Sequence, residues 1–285
     1  MTDRLDQFAS LFKSADKPTM VHDDIVVRKV IVVGDESVGN IDTHLAAVRQ
    51  FLSLLDRDNP AWQALAVTTT SAVSSIREVI RGVAPDLIIA HRDLGESARR
   101  TERSLGVILD ELLWDSPTPV IVLPDDESGK AIVPAQPARR VMLATDHLTG
   151  DNTLVDYGAR FTPEDGSLLM AHIEDDAVFA HYMGAIERIP DIDTAVARER
   201  IRERLLETPR SYIESCVNVL RGAGLSIHVE DVVRFGHRVR DYEHLVREHG
   251  IELLCLHTDW DDAPARLGMA YMIATRCRRL PLLFV

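Results

Sequence analysis

Arg28-Lys29-Val30-Ile31-Val32-Val33-Gly34-Asp35 decides the fold of this chain, because it returns 111 residues later as Arg139-Arg140-Val141-Met142-Leu143-Ala144-Thr145-Asp146. Two more blocks repeat in the same order. Asp86-Leu87-Ile88-Ile89-Ala90-His91-Arg92-Asp93 returns as Glu252-Leu253-Leu254-Cys255-Leu256-His257-Thr258-Asp259. Leu105-Gly106 followed by Pro119-Val120-Ile121-Val122-Leu123 returns as Leu267-Gly268 followed by Pro281-Leu282-Leu283-Phe284-Val285. Three matched blocks in one order mean a duplicated domain. The spacing within the copies differs: Asp35 to His91 is 56 residues, whereas Asp146 to His257 is 111. The first copy is therefore expected to lack a strand-helix unit.

Between the repeats, the apolar pattern predicts alternating strands and helices. Residues 30–33 are a continuous apolar run, as expected of a parallel strand covered on both faces. Leu45, Val48, Leu52 and Leu55 supply the stripe of a helix, and Asn59-Pro60 breaks the chain before a strand at 62–67. Ser71 or Ser74 is expected to cap a helix that faces the core with Val73, Ile76, Val79 and Ile80. A strand at 87–90, a helix at 104–114 and a strand at 120–123 complete the first copy. In the second copy, strands are expected at 141–144, 168–173, 225–233, 252–256 and 282–285, with the strand at 168–173 lacking a counterpart in the first copy. Helices are expected at 193–207, 209–220, 239–249 and 264–277, with Thr208-Pro209 dividing the first two. The fold class is α/β: two doubly wound, Rossmann-like parallel-sheet domains in tandem, the first truncated. The expected divisions are an arm at 1–24, a shortened domain at 25–124, a linker at 125–138 and a fuller domain at 139–285. Leu5, Phe8, Leu11 and Phe12 give the arm an amphipathic helix over 2–15. The last strands of the two copies, apolar and in need of an edge partner, are expected to meet as a pseudo-twofold pair.

Composition excludes several classes of function. With 285 residues and 46% hydrophobic content the chain can bury a substantial core. A formal charge of −13 lacks the basic footprint that binding to nucleic acid requires. Cys216, Cys255 and Cys277 show no ligand spacing, so neither a disulfide framework nor a zinc site is expected. The polar N-terminus and the absence of an apolar run of about 20 residues predict a cytoplasmic protein with no membrane partner.

The repeated blocks resemble the universal stress protein family, and two copies in one chain resemble its tandem members. The resemblance is carried by first strands ending in Asp35 and Asp146, by Leu169-Met170-Ala171-His172-Ile173, by Arg234-Phe235-Gly236 ahead of a helix, and by the closing Leu-Gly and Pro-apolar blocks. Members that bind ATP carry a G-x2-G-x9-G-[S/T] loop, in which glycines let backbone amides at a helix start approach the phosphates. Both halves of this chain depart from it. In the first, His91 replaces the first glycine, Gly95 stands near the second, and Gly106 is followed by Val107. In the second, His257 and Trp260 occupy the first two glycine positions, and Gly268 is followed by Met269. Side chains where phosphates must pass, with Asp259, Asp261 and Asp262 nearby, oppose nucleotide binding in the second half. In the first half Arg92, Arg99, Arg100 and Arg103 remain as attractors for an anion.

The crevice of an open parallel sheet lies at the carboxyl ends of its strands. Asp35 with His91 and Asp93, and Asp146 with His257 and Asp259, are expected there. Such sets suit a divalent metal or acid–base chemistry, but capping of the next loop by Asp, with histidine as its structural partner, is the preferred expectation, and no metal is assigned. Ser37 and Ser104 lack a nucleophile elbow, no Walker sequence is present, and no catalytic residue is assigned. The resemblance then implies a non-catalytic stress-response protein that binds protein partners or a regulatory ligand, without a cofactor, with a homodimer as one form. Two alternatives stand beside it: an ATP- or AMP-binding sensor with weak ATPase activity through the first domain, and a small-ligand or metal-binding regulator through the second crevice.

Overall fold

The computed structural model describes residues 19–96, 104–115, 117–126, 128–145, 148–257 and 268–285. The helix expected at 2–15 lies outside them.

The first half runs β1 (Lys29–Gly34), α1 (Ile41–Phe51), β2 (Ala61–Ala66), α2 (Val73–Val83), β3 (Leu87–His91), α3 (Val107–Asp115) and β4 (Val120–Leu123). The second half runs β5 (Arg140–Ala144), α4 (Asn152–Arg160), β6 (Ser167–Asp175), α5 (Asp176–Ile186), α6 (Thr194–Gly222), β7 (His228–Gly236), α7 (Arg238–Glu248), β8 (Leu253–Leu256), α8 (Gly268–Arg276) and β9 (Leu282–Phe284). The nine strands of the described residues form one sheet in the order β2-β1-β3-β4-β9-β8-β5-β6-β7. Every pairing is parallel except β4 with β9, the last strands of the two halves, where Val120 faces Phe284, Ile121 faces Leu283 and Val122 faces Leu282.

That junction explains the apolar closing blocks. An unpaired apolar strand edge invites aggregation, and here each half covers the other's. Alternate side chains of the strands enter two cores. Ile31, Ile88, Val122, Met142, Leu254 and Leu282 face one, with α2, α3, α7 and α8 over it. Val30, Ile89, Ile121, Leu143, Cys255 and Leu283 face the other, beneath α1, α4 and α6. Both cores draw on residues from both halves, so neither half owns a separate interior.

Three expectations need correction. β2 pairs with β1 from Lys29–Ala61 to Gly34–Ala66, as β6 pairs with β5, so β2 is the positional counterpart of the strand expected to have none. The strand without a counterpart is β7, outermost in the second half. The equivalence is masked because β2 is an edge strand with partly exposed Trp62, Ala64 and Leu65, whereas β6 buries Leu168 to Ile173. Second, Thr208-Pro209 does not divide two helices. α6 runs through it for 29 residues, with Pro209 buried. Proline forgoes one bond to the preceding turn, and there the Thr208 hydroxyl donates to the Arg204 carbonyl at 3.2 Å. Packing of Tyr212, Ile213, Cys216 and Leu220 against the sheet holds the helix together despite that loss. Third, α2 has no side-chain cap at Ala72. Its Ile76 and Ile80 are buried, while Val79 faces solvent.

Candidate functional site

At the carboxyl end of β1, Asp35 turns the chain. Its Oδ1 accepts from the Ser37 amide at 2.8 Å and its Oδ2 from the Gly95 amide at 2.6 Å. One side chain thus ties the exit of β1 to the loop after β3. His91, the last residue of β3, is buried, with Nε2 3.3 Å from Asp35 Oδ1 and Nδ1 2.9 Å from the Arg92 carbonyl. A carbonyl can only accept, so Nδ1 carries a proton. At that distance Nε2 attracts the Asp35 carboxylate when the ring is protonated. Burial pushes the Asp35 carboxyl up, but His91, Ser37 and Gly95 outweigh that and hold it well below the usual carboxylate range.

A second histidine completes this cluster. His44 on α1 is 7% exposed, and its Nε2 has no hydrogen-bond partner. Burial, reinforced by the charge of His91 and opposed by Asp35, pulls His44 down to about 4. It is therefore neutral at neutral pH. His44 went unnoticed in the sequence because it occupies a core position, one turn before Val48 and two before Phe51. A histidine at an apolar position of a helical stripe was the available signal.

Glu96 and Ser104, at the described ends of the loop after β3, meet the helix start where the resemblance implies phosphates. Glu96 Oε1 accepts from the Val107 amide at 2.9 Å, at the start of α3. The Ser104 hydroxyl accepts from the Gly106 amide at 3.0 Å and donates to Asp110 Oδ2 at 2.9 Å. The chain's own carboxylate and hydroxyl thus meet the exposed amides and positive dipole end of the helix. Gly106, at φ +106°, has a role independent of any ligand: a Cβ there would stand 2.8 Å from the Asp93 Cα. Gly95, at φ +73°, lies in the same turn.

Arg92, expected as an anion attractor, is spent elsewhere. It is 1% exposed, and its Nη2 donates to the carbonyls of Ala274 at 2.8 Å and Cys277 at 3.1 Å. These are among the last carbonyls of α8, which lack partners within the helix and favour a cation. Arg278 returns the contact from the second half, donating to Asp125 Oδ2 at 2.9 Å and lying 3.5 Å from Asp93 Oδ2. Burial first, then the charge of Arg278, lowers Arg92 to about 10, which leaves it protonated. Arg99, Arg100 and Arg103 lie outside the described residues, as do Asp146 and Trp260.

In the second crevice His257 follows β8, and its Nδ1 lies 3.0 Å from Asp151 Oδ2. Asp151 also caps α4 by accepting from the Leu154 amide at 3.1 Å. Asp151, absent from the repeated blocks, was not identified from the sequence as a partner of His257. Gly268 opens α8 with open space where a Cβ would stand. The Tyr242 hydroxyl reaches from α7 to the carbonyls of Thr145 at 3.0 Å and Ala171 at 3.1 Å, at the carboxyl end of β5 and the middle of β6. Among the described residues, no group of three or more His, Cys, Asp or Glu side chains is placed to hold a metal.

A cleft of about 350 Å³ lies away from both crevices, lined by His22, Arg57, Asp156, Arg160 and the turn at Gly224–Ile227. Its buried charges fasten the arm. Arg160 donates to Ile25 O, Leu54 O and Asp58 Oδ2 at 3.2, 2.8 and 2.9 Å, and His22 Nδ1 lies 2.6 Å from Asp156 Oδ1.

Fold and site together define a doubly wound α/β protein whose first crevice holds its own carboxylates and imidazoles. Among the solved structures similar to it is a universal stress protein from Archaeoglobus fulgidus DSM 4304, at 16% identity and TM-score 0.48, covering 90% of this chain and 85% of that one. A putative universal stress protein from Pseudomonas aeruginosa UCBPP-PA14 is similar at 12% identity and TM-score 0.49, covering 91% and 93%. The universal stress protein UspA from Lactobacillus plantarum is similar at 13% identity and TM-score 0.30, covering 52% of this chain and 97% of its own. No family model and no curated protein sequence matches the chain. The fold class rests on the strand order and register of the chain itself.

Proposed function

We propose that this chain is a non-catalytic regulatory protein of the tandem universal stress protein type, acting in stress response in the cytoplasm by binding protein partners without a nucleotide. The observation that carries the reading is the Glu96 carboxylate on the Val107 amide, 2.9 Å apart. A carboxylate at that helix start removes a donor that a phosphate would need and repels the phosphate itself. Asp35, held ionised beside the same loop, adds to the repulsion. The burial of Arg92 supports the reading further, since its guanidinium is committed to α8.

Isothermal titration of the full chain with Mg-ATP and with AMP tests this directly. No saturable heat is expected up to millimolar nucleotide. Saturable binding that disappears when Arg99, Arg100 and Arg103 are all changed to Ala would replace the reading with that of a nucleotide sensor working through the first half. Native mass spectrometry of gently purified protein, expected to give an apo mass, reads retained ligand and subunit number together.

A further inference from the structure

The two borders of the sheet are built differently. In the second half the outermost strand, β7, lies parallel on β6 over nine residues. The first half stops one strand sooner, so the side that β7 covers on β6 is open on β2 among the described residues. The Ala61 amide donates to the Arg28 carbonyl and the Val67 amide to the Gly34 carbonyl, both at 2.9 Å. Bonding alternates along a parallel strand, so Trp62, Ala64 and Ala66 turn their N–H and C=O groups outward, away from β1. Among the described residues nothing is hydrogen-bonded to those groups.

Such a border is ordinarily guarded by charge, proline or a bulge. β7 follows that rule. It carries Glu230, Asp231 and Arg234, and its Val233 carbonyl accepts from Arg210 Nη2 of α6 at 3.3 Å. Ala61-Trp62-Gln63-Ala64-Leu65-Ala66 has no charge and no proline, and its register with β1 is unbroken. Ala61, Gln63 and Ala66 are exposed, and the Trp62 ring is held beneath the Arg49 guanidinium, 5.7 Å from its centroid.

The strand is also complementary to itself. Laid antiparallel about a twofold axis at Ala64, it sets Trp62 opposite Ala66 of the partner subunit and Gln63 opposite Leu65 of the partner subunit. A large side chain then meets a small one, and no like charges face each other. The outward groups fall in hydrogen-bonded pairs, giving about six main-chain bonds across the axis. A twofold closes after two copies, whereas β2 on the β7 edge of another copy would grow without limit.

We infer that two copies of this chain join at the β2 edge, antiparallel about Ala64, into one continuous sheet. Main-chain bonds hold such an added strand, and side chains set its register. The pairing is independent of whether the first crevice takes a nucleotide.

Sedimentation velocity of the full-length protein at about 0.1 mM, where an association with Kd of about 10 µM is mostly complete, is expected to show a dimer. Ala64→Pro removes an outward N–H and no bond to β1, and Ala64→Lys sets two ammonium groups face to face. Both are expected to be monomers that keep the urea midpoint of dilute wild type. Ala64→Cys places two thiols on the axis, with Cα atoms about 5.5 Å apart, and is expected to give a disulfide-linked dimer under mild oxidation. Ala61→Cys, about 20 Å from its counterpart, is not. The native cysteines, all buried, stay out of the reaction. A monomeric wild type would overturn the inference and leave the edge to an extended segment of another protein. A dimer that persists in both Ala64→Pro and Ala64→Lys, with no cross-link in Ala64→Cys, would overturn it in favour of a different face.

Discussion

The guanidinium of Arg92 and the carbonyl of Ala274, 182 positions apart in the chain, are hydrogen-bonded at 2.8 Å. One half of the molecule finishes a helix of the other. Changing Arg92 to Met leaves the carbonyls of Ala274 and Cys277 buried without their donor, and Asp93 and Asp125 with one cation fewer. The expected cost is about 3 kcal/mol, read as a lower urea midpoint at unchanged slope. Arg92→Lys is expected to recover part of it, because an ammonium lacks the planar fork. A midpoint equal to wild type in Arg92→Met would contradict the role.

Gly106 makes a second, independent test of what shapes the loop. Its φ of +106° and the 2.8 Å approach of a Cβ to Asp93 penalise any side chain, whether or not a ligand is present. Gly106→Ala is expected to cost about 1–3 kcal/mol. Thermal unfolding in nucleotide-free buffer measures it, and an unshifted transition would mean that the loop relaxes freely.

The pH dependence follows from His44. Its folded value of about 4 lies below the ordinary 6.5, so as pH falls the unfolded chain takes up the proton first. Stability should therefore decline from about pH 6.5 down to about pH 4 and gain no further slope from this group below that. Asp35, held low in the fold, contributes stability that is fully present above the ordinary carboxylate range and is lost as pH falls from that range down through its depressed folded value. His44→Gln is expected to flatten the upper part of the profile and Asp35→Asn the lower. Parallel profiles for wild type and both variants would contradict the assignment.

The three thiols should be silent in the native protein. Cys216, Cys255 and Cys277 are free and buried, and burial pushes each upward, Cys216 to about 12 and Cys277 to about 11. A thiolate-specific disulfide reagent at pH 8 is expected to label none of them within minutes and all of them in denaturant. Rapid labelling of one in the native state would show an opening that the packing does not.

Signals set by burial were legible in the sequence. Val30–Val33 and Val141–Ala144 read as covered strands because both faces are covered, and the closing blocks pointed to the β4–β9 junction because their edges needed partners. Asp35 and His91 were placed together by topology alone, since adjacent parallel strands end at the same edge. Where context overrides pattern, reading failed. β2 lost its likeness to β6 at the sheet edge, and Thr208-Pro209 looked like a break that packing overrides. α4 and α5 escaped notice altogether: α4 is short, and α5 shows solvent an apolar side. Arg92 was misassigned because its counter-charges and carbonyls come from distant segments, and the partner of His257 lies outside the repeat.

The place of β9 in the sheet sets an order on synthesis. β4 has β3 on one side from early on, but its other neighbour is the last strand of the fold, 159 positions further along from Leu123 to Leu282. At ribosomal rates the four apolar residues of β4 wait about 8–30 s for that neighbour. During this interval the half already made is a sheet with one sticky border, exposed to neighbouring nascent chains. A strand of only four residues keeps that border short, and the antiparallel seam seals it once β9 has been made.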